Sequence, residues 1–101
     1  MLKVQIAYEN NKFKSLSMKG HADSDEFGRD LVCAGASAVV IGGLNNIRDI
    51  KQFKIKLLEG DVRVEAIGEI SEHDEVVLET IISGLRTLEE DNKAFIKIEI
   101  L

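Results

Sequence analysis

The sequence predicts an α+β fold, a compact sheet with two helices in the order ββαββαβ, formed by one domain spanning residues 1–101. Three observations carry this reading. Five short runs alternate apolar and polar residues, as half-buried strands do. Two longer stretches, one apolar on nearly every side and one with a helical apolar stripe, separate the runs. At 101 residues the chain can bury a single core and has no room for a second domain.

Val4, Ile6 and Tyr8 alternate with Lys3, Gln5 and Ala7 and define the first strand. Asn10-Asn11 marks a tight turn, because asparagine tolerates positive φ. Phe13–Lys19 follows as the second strand of a hairpin. From Gly20 to Gly28 the pattern stops in a polar loop bounded by glycines. The first helix is expected to start at or just before Asp30, with Asp30 as its N-cap and Cys33 at N3, and to run to about Leu44. Its composition predicts burial against the sheet on one side and another element on the other. Phe53–Leu57, the Gly60-Asp61 turn and Val62–Ile67 form a second hairpin. Ser71 caps the second helix, with Asp74 in the capping-box position. Leu78, Ile81, Ile82, Leu85 and Leu88 form its stripe, and Glu89, Glu90 and Asp91 are expected to face solvent. Ala94–Ile100 closes the sheet.

Thirteen Lys+Arg against 18 Asp+Glu give a formal charge of -5. The linear sequence shows no basic stripe, so no direct nucleic-acid contact is expected, and an acidic surface suits a basic partner. A single cysteine excludes an internal disulfide, and without CxxC or a His/Cys cluster no metal is expected. Asp23, Asp25 and Glu26 miss the spacing of a calcium-binding loop. The alternating start Met1–Val4 predicts neither a signal peptide nor a membrane span, hence a cytoplasmic protein.

Candidate chemistry concentrates on Cys33 and His21. At a helix N-terminal turn, exposed amides and the helix dipole favour the thiolate, the reactive form of cysteine. An imidazole within reach could take the thiol proton and later protonate a leaving group, the minimum equipment of a cysteine peptidase. Against this, buried cysteine is a common core residue, and Cys33 sits in an Ala/Val-rich stretch. Asp30 either caps the helix or orients His21 as a third member. Ser37, one turn after Cys33, either fits a crowded helix contact or lines the pocket. His73, beside Ser71 and Glu72, reads as a surface residue.

Gly20-His21-Ala22, then Gly28-Arg29-Asp30-Leu31-Val32-Cys33-Ala34, then Ser37, closely resemble the signature of the ribosomal-processing cysteine protease family, Prp. The opening hairpin, the segment from His73-Asp74 through Gly84-Leu85 to Leu88-Glu89-Glu90, and the Ile-rich final strand fit as well. The resemblance covers essentially the whole chain. It implies Cys33 as nucleophile, His21 as general base and acid, and Asp30 as the acidic residue beside the cysteine. It implies a substrate, the short N-terminal extension of a bacterial large-subunit ribosomal protein, and a homodimer that needs no cofactor. The loop carrying His21, Ala22 and Asp23 would be the mobile cover of the site, hinged at Gly20 and Gly28. Amides of the first helical turn would stabilise the oxyanion. Asp23 stands where glycine is common in the family, and Gly35 where alanine is common. The alternative is a non-enzymatic ribosome-associated or assembly protein with Cys33 in the core, and a thiol-dependent enzyme acting on a non-peptide leaving group is a further one.

Overall fold

A computed structural model describes residues 1–20 and 26–101, the side chains of 26–30 excepted. Its elements are β1 (Leu2–Glu9), β2 (Lys12–Lys19), α1 (Glu26–Leu44), a 3-10 turn (Ile50–Gln52), β3 (Phe53–Leu58), β4 (Asp61–Ala66), α2 (Glu72–Asp91) and β5 (Ile96–Ile100). The ββαββαβ order and the α+β class hold. The five strands form one sheet in the order β3-β4-β2-β1-β5, with β5 parallel to β1 and the other pairs antiparallel.

Local chemistry explains the joints. Asn10 and Asn11 both adopt positive φ, 54° and 63°, as the two-residue turn between right-twisted strands requires. A shift in register between Ala7 and Tyr8 inserts Lys14 as an extra residue, and its Nζ donates to the Ala66 carbonyl. Val4, Ile6, Leu16, Val64 and Ile96 point to one face of the sheet and are nearly or fully buried. Both helices cover that face, and among the described residues no helix or strand covers the other.

Helix α1 corrects two expectations. It starts at Glu26, so residues 26–28 are helical and Asp30 is an interior residue, not an N-cap. Nor is α1 enclosed on all sides. Val32, Ala36, Val40 and Leu44 form its buried stripe at intervals of four, whereas Leu31 is 73% exposed and Ile41 39% exposed. The helix lies antiparallel against α2 through a row of positions also spaced by four. Gly35 faces Leu88, Val39 faces Gly84 and Gly43 faces Ile81. A Cβ on Gly84 would sit 2.8 Å from Val39 Cγ1, and one on Gly43 would collide with Ile81 Cγ1 and Cδ1. The missing side chains set how closely the helices approach.

The start of α2 is held from two directions. Ser71 Oγ accepts from the Asp74 N–H at 3.2 Å, as the capping pattern predicts. The Asp74 carboxylate does not complete a capping box. It is fully buried and accepts the backbone N–H groups of Arg48 (2.9 Å) and Asp49 (3.0 Å), tying α2 to the segment after α1. His73 is half-buried rather than a free surface residue, with Nδ1 2.9 Å from Asp74 Oδ1. At the other end, Glu90 and Asp91 are exposed, but Glu89 turns inward and accepts the Ile98 N–H. That bond satisfies an outward-facing amide on the edge strand β5.

Burial pushes the Asp74 carboxyl up, but the N–H donors at Arg48 and Asp49 and the His73 ring outweigh it, so its pKa is lowered. Its stabilisation is therefore present above the ordinary carboxylate pKa and is lost as pH falls through the lower folded value. Asp74→Ala should destabilise by about 2–3 kcal/mol at pH 7, because it strands buried donors, and should flatten the acid limb of stability against pH. Urea melts across pH 3–7 check both. Helix packing makes a second prediction. Gly43→Ala should lower Tm by roughly 5–10 °C. Gly35→Ala, whose new methyl would meet Leu88 Cδ1 at 3.4 Å, should raise it by roughly 3–6 °C through helix propensity.

Candidate active site

The exposed side of α1 faces the β3–β4 hairpin across an open cleft of about 390 Å³. Cys33, Ala34, Ser37 and Ile41 form the α1 wall. Leu57, Leu58, Glu59, Gly60, Asp61 and Val62 form the opposite wall, and Leu2, Met18 and Gly20 close the floor and one end. The cleft exists because α1 leans on α2 and leaves the outer strands uncovered: Leu57, on the helix-bearing face, is 47% exposed.

Cys33 is partly buried on this wall, packed against the core yet bordering the cleft. It is the eighth residue of α1, about 10 Å along the axis from the helix start. The first-turn amides and the end of the helix dipole, whose influence fades within a turn, therefore do not surround it. That corrects both the N3 placement and the expected source of oxyanion stabilisation.

Gly20 fixes the other approach to the cleft. Its φ is +94°, and a Cβ there would lie 2.8 Å from the Met1 carbonyl oxygen. Its N–H donates to the Gly60 carbonyl at 3.0 Å, pinning the end of β2 to the hairpin turn. Conformation and space both demand glycine at the residue preceding His21.

At the rim, Asp61 accepts from Lys56 Nζ at 2.8 Å and Arg63 Nε at 3.4 Å. The Lys56 hydrogen bond is the main cause that holds the Asp61 carboxyl below its ordinary value. Among the described residues no group of three or more His, Cys, Asp or Glu could hold a metal ion, and no described helix is long and apolar enough to cross a membrane.

Of the residues singled out in the sequence, the structure brings Gly20, Cys33 and Ser37 to one cleft. Gly28 and Asp30 lie in the first turns of α1, and the Asp30 side chain is outside the described residues. His21, Ala22 and Asp23, with the expected cover of the site, also lie outside them. The opposite wall was missed by sequence reasoning. Its signal was Leu57-Leu58, two consecutive apolar residues at a strand end where alternation allows only one to face the core.

A small α+β domain with a cysteine on the wall of an open cleft has the build of a thiol hydrolase, and comparison with known proteins narrows the class to cysteine proteases. The family model for cysteine protease Prp matches residues 1–97. The ribosomal processing cysteine protease Prp of Staphylococcus aureus (strain Mu50) is 30% identical over 103 residues, covering 97% of each chain. That of Bacillus subtilis is 31% identical over 107 residues, covering 97% of this chain and 96% of its own. The crystal structure of the S. aureus protease with a covalently linked product peptide superposes with a TM-score of 0.86 at 29% identity over the full length of both chains. SMU.848 from Streptococcus mutans shares the fold, with a TM-score of 0.77 at 20% identity. The chain belongs to the Prp family of cysteine proteases.

The strained glycine gives this site its own prediction. Gly20→Ala should cost about 1–3 kcal/mol, because positive φ and the Met1 carbonyl both oppose a Cβ. Thermal unfolding checks it, and an unchanged Tm would show that the β2 end relaxes freely.

Proposed function

We propose that this protein removes the short N-terminal extension of a bacterial large-subunit ribosomal protein, with Cys33 as nucleophile and His21 as general base and acid. The observation that carries the reading is the position of Cys33 on the wall of a cleft whose end is formed by Gly20, the residue before His21. Relatives solved with a covalently linked product peptide and with a substrate peptide support it.

In this reading an extended tail lies between α1 and the β3–β4 hairpin, where Ile41 and Leu57 offer apolar surface. His21 takes the Cys33 proton, and the Sγ thiolate attacks the scissile carbonyl carbon. The tetrahedral intermediate collapses as the C–N bond breaks and His21 protonates the leaving amine. His21 then takes a proton from water, whose oxygen attacks the thioester and releases the thiol. Asp30, three residues before Cys33 on the same helix, orients His21. Ala22, Asp23 and Ser37 contact the substrate, and Gly20 hinges the segment that closes over it; Gly28, expected as the second hinge, is a residue of α1. The net charge of -5 suits a basic tail. The enzyme acts in the cytoplasm as a homodimer, as the family resemblance implies.

Packing of Cys33 against the core favours a second reading, a binding protein whose cysteine is structural. Intact-mass spectrometry of the host's full-length ribosomal protein separates the two. Wild-type enzyme should remove one discrete N-terminal segment, and Cys33→Ala should slow this by roughly 10³-fold or more. Substantial cleavage by Cys33→Ala would overturn the mechanism. No cleavage, with slow and pH-independent thiol labelling of Cys33, would establish the binding protein.

A further inference from the structure

The helix-free face of the sheet collects positive charge that the linear sequence hides. Strand register places Lys97, Lys3, Lys19, Asp61 and Leu58 in one row across β5-β1-β2-β4-β3. The next row is Glu99, Gln5, Ser17, Arg63 and Lys56, and the third contains Ala7, Ser15, Glu65 and Lys54. These rows hold six cations and three anions. The face is therefore +3 on a chain of overall charge -5, which leaves -8 for the rest of the molecule. The linear sequence shows no basic stripe because these cations come from five separate strands.

The first row is also locally unfavourable. Lys3 is paired with Lys19 on one side and Lys97 on the other, three exposed ammonium groups on adjacent strands about 4.8 Å apart. Like charges directly opposite one another destabilise a sheet. The row's one carboxylate, Asp61, is taken by Lys56 and Arg63. The ion pairs among the described residues leave Lys3, Lys19, Lys97 and Lys54 for an external anion.

We propose that this open sheet face docks on RNA through its phosphate backbone while the cleft on the opposite, helix-bearing side handles the peptide. The side-chain chemistry favours this occupant over a protein. Lysine dominates the face, and lysine is depleted at protein–protein interfaces, where aromatic anchors are enriched. Here the floor is Ser15, Ser17, Gln5 and Ala7, with no aromatic side chain in the three rows. Lysines on a flat floor without stacking residues contact phosphates rather than bases, so binding should be strongly salt-dependent and indifferent to sequence. The choice of RNA as the polyanion rests on the ribosomal-protein substrate proposed above.

The test titrates full-length protein with a fluorescent 20-base-pair RNA duplex at 50–200 mM salt. Four contacting lysines predict a slope of log affinity against log salt of about -3.6, at the duplex value of about -0.9 per phosphate contact. The triple variant Lys3→Gln/Lys19→Gln/Lys97→Gln should reduce the slope to about -1 and weaken binding at 50 mM salt by about tenfold or more. A variant Tm equal to or above wild type certifies its fold. Absence of wild-type binding at 50 mM salt, or equal binding by the variant, overturns the proposal. So does competition by poly-glutamate as effective, charge for charge, as RNA, which would assign the face to an acidic polypeptide. None of these readouts uses cleavage, so failure here leaves the protease reading standing, and failure of cleavage leaves this measurement intact.

Discussion

The close approach of α1 to α2 is the constraint on which the site depends. Without side chains at Gly43 and Gly84, the two helices share one ridge, with Ile81 and Val39 filling the spaces. That contact draws α1 towards α2 and away from the outer strands. The β3–β4 hairpin is left without a roof, and the gap becomes the cleft beside Cys33. The buried Asp74 carboxylate fixes the same arrangement from its end, by binding the backbone just beyond α1. The core therefore does more than hold the sheet. It places one wall of the cleft at a set distance from the other.

The glycines divide this work by physical cause. Gly43 and Gly84 are required by space alone, on helical backbone any residue could adopt. Gly20 is required by conformation as well, and its hydrogen bond to Gly60 joins the start of the His21 segment to the far wall of the cleft. The hairpin turn thus serves both as wall and as anchor.

Much of the fold was legible locally. Alternation located all five strands to within two residues, Asn10-Asn11 gave the first turn, and Ser71 gave the start of α2. The start of α1 was misread because Asp30 is a good cap by type and Gly28 reads as the end of a loop, although Asp25-Glu26 carries a start signal of its own. Other features depend on partners distant in sequence. Asp74 looks like a capping-box residue until Arg48 and Asp49 are seen to need acceptors. Lys3, Lys19 and Lys97 become neighbours only through the β2-β1-β5 register. In the candidate site, Gly20, Cys33 and Ser37 were visible as a motif. The hairpin wall was not, since nothing local tells an exposed Leu57-Leu58 pair from a buried one.

The central claim is that Cys33 forms the bond to the substrate. The most direct measurement is rapid acid quench of enzyme with a peptide spanning the extension, followed by intact mass and peptide mapping. The account predicts a transient adduct on the peptide containing Cys33, heavier by the mass of the released N-terminal product less one water. Turnover without any such adduct, or an adduct mapping to another residue, would contradict it.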